Sequence, residues 1–235
     1  MFYGIDYYYI ILVLPAIIIS LYAQTKVTST FSKYSRLPNK RGMTGAEVAR
    51  KILDMNGLSN VVIEHVKGNL SDHYDPRSRV LRLSDSVFSS RSVAALGVAA
   101  HECGHAIQHS KGYAPLKVRH AVFPVVQLSS GAAVPVIIMG FLFNTPFLIN
   151  AGIVLFAAVV FFQLVTLPVE FNASRRALSI LESSYFLSDS SIDGTSELKS
   201  ARKVLSAAAL TYVASALVSL MQLLRFLLIA NNRRD

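Results

Sequence analysis

Hydrophobic and polar positions fall in blocks along this chain. Four stretches, roughly residues 7–23, 121–143, 147–168 and 207–230, are almost free of charge. Each reaches or approaches the ~20 apolar residues that a helix needs to cross ~30 Å of hydrocarbon. They predict four transmembrane helices, the fourth carrying Gln222 and Arg225. No Lys or Arg precedes the first stretch, which therefore reads as a retained span, not a cleaved signal. Tyr3, Tyr7, Tyr8, Tyr9 and Tyr22 bracket it as interfacial aromatics do. Only Asn144, Thr145 and Pro146 separate the second and third stretches, which predicts a tight helical hairpin. Pro124 and Pro135 are expected to kink its first arm.

The polar segments between the spans, residues 24–119 and 169–206, carry a different pattern. Thr44-Gly-Ala-Glu47 is a capping box, and Val48, Ile52 and Leu53 follow at helical spacing until Gly57. Residues 61–66 and 80–83 alternate like strands and flank the turn-rich Asp72-His-Tyr-Asp-Pro76. The pattern alone does not place the strand around Val80 to Ser84 in its sheet. From Val93 to about His109 an Ala-rich run predicts a helix that ends near Gly112.

Composition and charge fit this division. Charged residues make up 16% of the chain, against roughly 25% in soluble domains, and the single cysteine, Cys103, excludes a disulfide scaffold. The formal charge is +9 from 23 basic and 14 acidic residues. Twenty of the basic residues lie in the two polar segments; Arg225, Arg233 and Arg234 are the other three. Four crossings put both segments on one side, and the positive-inside rule makes that side the cytoplasm. Basic residues are not clustered with interleaved aromatics, and zinc-finger spacing is missing, so no nucleic-acid partner is expected.

The predicted helix from Val93 contains the chemistry. Residues 101–105 read His-Glu-Cys-Gly-His. At i and i+4 the two histidines share one helix face, so both imidazoles can reach one divalent ion. Glu102 lies beside them, placed to take a proton from a water polarised by that metal. Three ionisable groups in an otherwise apolar helix are costly without such a purpose. Cys103 sits within the helix with no separate activating base, which argues against a thiol nucleophile.

A catalytic zinc usually takes three protein ligands and keeps one open position. The position six after His105, where metzincins carry a third histidine, is Lys111. His109 continues the i+4 stripe but lies two turns from His101, about 11 Å along the axis, and is expected to be a supporting polar residue. Glu170 is the favoured third ligand, just after the third span and at the same membrane face as the pentad. Ala173, three residues on, would let its helix pack closely on the histidine helix.

With these residues in place, the chain resembles membrane-embedded gluzincin metalloproteases, with HtpX-like and CAAX-prenyl-protease-like enzymes sharing the outline. A closer likeness is to the YugP-like family of bacterial membrane zinc metallopeptidases. Leu70-Ser-Asp-His-Tyr-Asp-Pro76, Leu81-Arg-Leu-Ser84, Ala99-Ala-His-Glu-Cys-Gly-His-Ala-Ile-Gln108 and Ala209-Leu-Thr-Tyr-Val-Ala214 carry it, over roughly residues 25–225. HtpX-like enzymes have an acidic residue four positions after the ligand Glu, where this chain has Ser174; its hydroxyl could still accept an imidazole N–H.

The resemblance implies an α+β membrane protein of about four transmembrane helices with a small cytoplasmic zincin-like domain. Its expected segments are a first span at 1–23, a catalytic segment at 24–119 and a transmembrane hairpin at 120–168. A second cytoplasmic segment with the third ligand follows at 169–206, then a fourth span and tail at 207–235. The implied activity is a zinc-dependent endopeptidase of the bacterial inner (plasma) membrane, acting on protein or peptide substrates beside the lipid bilayer. The resemblance also implies a sheet edge for the strand around Val80 to Ser84, where an extended peptide could pair with it. Zn²⁺ would be held by His101, His105 and Glu170, with Glu102 as the base that assists attack of zinc-bound water. His73, His120, Arg175 and Tyr212 are candidates for stabilising the oxyanion. The competing function is a transporter or channel with a zinc site, since Gln127, Asn150 and Gln163 lie within spans.

Overall fold

The computed structural model describes residues 6–188 and 196–232. Tyr3 and the Arg233–Arg234 pair lie outside them. After a wide helical turn at Tyr9–Val13 come α1 (Leu14–Tyr34), α2 (Gly45–Met55), β1 (Val62–Val66), β2 (His73–Asp75) and β3 (Val80–Ser84). Four more helices follow: α3 (Val93–Ser110), α4 (Ala114–Leu142), α5 (Pro146–Ser183) and α6 (Glu197–Asn231). The protein is therefore mostly helical, with one small sheet. Among the described residues, four helical stretches are long and apolar enough to cross a membrane: Tyr9–Tyr34, Ala114–Leu142, Pro146–Ser183 and Glu197–Asn231. α5 and α6 extend well beyond the apolar runs that predicted them, so much of the second polar segment is helix.

The chain divides into two compact units. One is built from the chain up to Gln24, Ala114–Pro168 and the chain from Leu210; the other from Thr25–Tyr113 and Val169–Ala209.

In the first unit, Phe143–Thr145 join α4 to α5, and glycines set how closely these helices approach. A Cβ on Gly140 would lie 2.6 Å from the Ile149 nitrogen, and one on Gly152 would lie 2.9 Å from the Ile137 nitrogen. Small residues at such contacts bring backbones together, as is usual between membrane helices. Pro124 and Pro135 lie inside α4. Arg225 of α6 is buried and bonds Asp6 at 2.6 and 2.9 Å, its guanidinium lying over the Tyr9 ring.

The second unit holds the main core. The Thr44 hydroxyl accepts from Glu47 N–H and the Glu47 carboxylate accepts from Thr44 N–H, which starts α2 as the capping box predicts. Val48, Ala49, Ile52 and Leu53 of α2 are fully buried. Gly57 (φ +71°) and Gly112 (φ +62°) take the left-handed conformations that end α2 and α3. The Ser92 hydroxyl accepts from Ala95 N–H to open α3.

The sheet has the order β1-β3-β2, β1 parallel and β2 antiparallel to β3. Two expectations change here. The segment expected as turn contains β2, because Tyr74 pairs with Leu81 and the turn is confined to the residues after Asp75. The strand expected at the edge, Val80–Ser84, is central. Its burial explains this: Val80, Leu81, Leu83 and Ser84 are all buried, as befits a strand flanked on both sides. The Asp72 carboxylate accepts from Ser84 N–H at 2.7 Å and from its hydroxyl at 2.9 Å, anchoring the loop before β2.

Candidate metal centre

The candidate centre is built from α3 and the Val169–Ser183 part of α5. Both are helices of the same unit, and their closeness has a local cause. Gly104 of α3 faces Ala173 of α5, where a Cβ on residue 104 would stand 2.8 Å from the Ala173 carbonyl oxygen. Only hydrogen fits there. Ala173 and Ala177 are fully buried, so α5 presents a smooth stripe to α3.

That contact brings Glu170, one turn before Ala173, to the histidine face. Glu170 Oε2 lies 3.2 Å from His101 Nε2 and 3.5 Å from His105 Nε2. The two imidazoles stand edge to face, centroids 4.8 Å apart. His101, His105 and Glu170 are the group of donors among the described residues that could hold a metal ion, all donor atoms lying within 4.8 Å of one another. Two imidazole nitrogens and one carboxylate oxygen are a catalytic zinc donor set. Ligand atoms about 2.0–2.1 Å from a tetrahedral zinc would be about 3.3–3.4 Å apart, the spacing seen between Glu170 and each histidine. The residues present therefore fit zinc.

Each imidazole is also held from behind. His101 Nδ1 lies 3.1 Å from the Ser174 hydroxyl and His105 Nδ1 lies 3.1 Å from Gln108 Oε1. The hydroxyl at position 174 thus meets one of the candidate ligand histidines. Burial opposes charge on His105, but the hydrogen bond it can donate to Glu170 and the nearby Glu102 carboxylate outweigh it and raise its pKa above the ordinary value. Two carboxylates facing two imidazoles make the centre a place for positive charge.

Glu102 is buried next to the donor group, and its Oε2 accepts from the Tyr74 N–H of β2 at 3.1 Å. Tyr74 then runs along α3 and its hydroxyl meets His109 Nδ1 at 2.9 Å. His109 is thereby engaged by Tyr74 and stays outside the donor group, in line with its expected supporting role. A cavity of about 250 Å³ opens beside this pair, with Arg79 and Asn60 on its lining. Cys103 is buried against the Ala49 carbonyl, and burial pushes its thiol pKa far above the ordinary value, so it supplies no thiolate.

Of the oxyanion candidates, His73 and Arg175 belong to the same unit as the donors, whereas His120 and Tyr212 belong to the other. His73 Nδ1 meets the Ser71 carbonyl. Two contacts go beyond the residues expected from sequence: the Tyr74 amide on Glu102 and the Gln108 amide on His105. Gln108 stands three residues after His105, a spacing that puts it on a neighbouring part of the helix face. No comparable signal marks Tyr74.

Comparison with known proteins agrees with the donor chemistry. Residues 9–231 match the family model described as "Putative neutral zinc metallopeptidase". The chain is 52% identical over 227 residues to the Bacillus subtilis (strain 168) protein named "Putative membrane protease YugP", covering 97% of this chain and 98% of that one. No solved structure matches the chain. With nearly its whole length matched by the model and by this relative, the chain belongs to the neutral zinc metallopeptidase family that the model describes.

Proposed function

We propose that this protein is a membrane-anchored, zinc-dependent endopeptidase whose metal ligands are His101, His105 and Glu170 and whose general base is Glu102. The observation that carries the reading is the meeting of both Nε2 atoms with one Glu170 oxygen, beside the Glu102 carboxylate. A bound zinc would supply a Lewis acid that acidifies water and polarises a scissile carbonyl.

The chain's own groups do the rest. Ser174 and Gln108 hold the two rings, and the neutral Nδ1 partners leave the negative charge on Glu170. The Tyr74 amide fixes Glu102 Oε2, so the other carboxylate oxygen is the one assigned to the attacking water. Glu102 takes that proton and returns it to the leaving amine nitrogen as the peptide bond breaks. No covalent enzyme intermediate is needed, consistent with the inert Cys103. The four apolar helices anchor the chain in the bilayer, with the Thr25–Tyr113 and Val169–Ala209 unit as the catalytic domain.

The 20 basic residues in the two polar segments support a cytoplasmic face for this domain in a bacterial inner membrane. Reporter fusions after Lys40 and after Ser190 should both be cytoplasmic; opposite sides would sink the four-span reading. The function itself is tested by hydrolysis of casein or a quenched peptide by detergent-purified protein. Activity should vanish with a chelator and return with Zn²⁺. Chelator-resistant hydrolysis, or none at full zinc loading, would remove the assignment.

A further inference from the structure

Gln108 is fully buried, an uncommon fate for an amide side chain, and every polar atom it carries is used. Its Nε2 donates to the Val169 carbonyl at 2.8 Å and to Asn172 Oδ1 at 3.0 Å. Its Oε1 lies 3.1 Å from His105 Nδ1. The Val169 carbonyl can only accept, so the amide nitrogen must face it. The amide oxygen is then left for His105, and an oxygen acceptor requires His105 to carry its proton on Nδ1. The lone pair is thereby assigned to Nε2, the atom that faces Glu170. Asn172 Oδ1 also accepts from Arg176 Nε at 2.7 Å, so the α5 end of the network is itself pinned.

From this geometry we infer that Gln108 is the positioning residue of the centre. It selects the Nδ1–H tautomer of His105 and braces the α5 backbone at Val169, the residue before Glu170. One side chain thus orients a donor on α3 and the backbone that presents the donor on α5. Ser174 does only the first of these for His101, because it lies on α5 itself. A neutral partner also avoids adding a third carboxylate to a buried centre that already holds Glu102 and Glu170. This inference rests on the proposed ligand set.

The test uses the full chain in detergent, with Zn²⁺ affinity measured by chelator competition and the Co²⁺-loaded protein followed by visible absorption. Gln108→Met keeps the length of the side chain and loses the amide. It should weaken zinc binding about 10–100-fold and shift the Co²⁺ bands. Gln108→Glu keeps an acceptor for His105 but loses the donor to Val169 and adds a third carboxylate, so its zinc affinity should fall between those of Gln108→Met and the wild type. An amide that merely ties two helices together would lower the melting temperature of the metal-free protein, with unchanged zinc affinity and Co²⁺ spectrum; that outcome overturns the inference.

The wild-type protein supplies a measurement that needs no variant to fold. A long-range ¹H–¹⁵N correlation spectrum of zinc-loaded, histidine-labelled protein should show His105 protonated on Nδ1; protonation on Nε2 overturns the assignment. His105→Ala separates the two layers. If it retains wild-type zinc affinity, the ligand set fails and the inference falls with it. If it loses zinc while Gln108→Met binds like wild type, only the role of Gln108 fails.

Discussion

The same kind of side chain is treated in opposite ways in the two units. In the unit of the metal centre, Leu53, Leu81, Leu83 and Leu96 are completely buried. In the unit of the long apolar helices, Leu128 and Phe147 are 75% and 76% exposed. A surface of that kind would be an aggregation liability in water, but it costs nothing against hydrocarbon. Polar groups follow the reverse rule. The apolar unit spends its buried cation, Arg225, on an internal pair with Asp6, as intramembrane charges usually are spent. The other unit gathers Glu102, Glu170 and Gln108 around two histidines, where pairing among themselves leaves donor atoms aimed at a common point. Buried polar groups pair with each other in one unit and, on the proposed ligand set, serve a metal in the other.

Four substitutions break or sharpen this contrast, from largest effect to smallest. Glu102→Gln keeps the size and the Tyr74 contact but removes the base. Peptidase activity should fall about 10²–10⁴-fold while zinc, measured by atomic absorption, stays stoichiometric. Turnover near wild type would take Glu102 out of the chemistry. Next, Leu81→Ala should cost about 2–5 kcal/mol in chemical denaturation, as for any large core leucine. A loss below 1 kcal/mol would show that the three-stranded sheet is not part of the cooperative core.

Replacing Arg225 with Ala orphans Asp6 and should cost about 1–2 kcal/mol, less than for a fully buried pair because Asp6 stays partly exposed. Zinc content should not change. The smallest effect belongs to Leu128→Ala, within about 0.5 kcal/mol in detergent. Equal destabilisation by Leu81→Ala and Leu128→Ala would abolish the contrast between the units.

The donor set allows a comparison within one element. Glu170→Ala should release zinc, whereas Glu182→Ala, twelve residues further along α5 and exposed, should retain it. Full zinc in Glu170→Ala would leave the histidine pair without its third ligand. Gly104→Ala tests the packing that creates the centre, because its methyl would collide with the α5 backbone at Ala173. It should lower both stability and zinc affinity, and an unperturbed Gly104→Ala would mean that the close helix approach is dispensable.

The four apolar runs, the capping box at Thr44 and Glu47 and the i, i+4 histidine pair are one-dimensional patterns. Helical periodicity and capping depend on residues within a turn or two, so the sequence alone determined them. Glu170 was legible because few acidic residues follow a span so closely, and Ala173 because small residues mark helix contacts. What lay beyond that reach is non-local. That β3 is central and β1 and β2 are the edges depends on pairings that strand periodicity does not encode. Glu102 meets the Tyr74 amide across 28 residues, and Gln108 meets Val169 across 61. The first exists only once β2 has packed on α3 and the second only once α5 has, and that helix docking turns on Gly104 having no side chain. The residue types supplied the chemistry in advance; helix packing decided which of their atoms face one another.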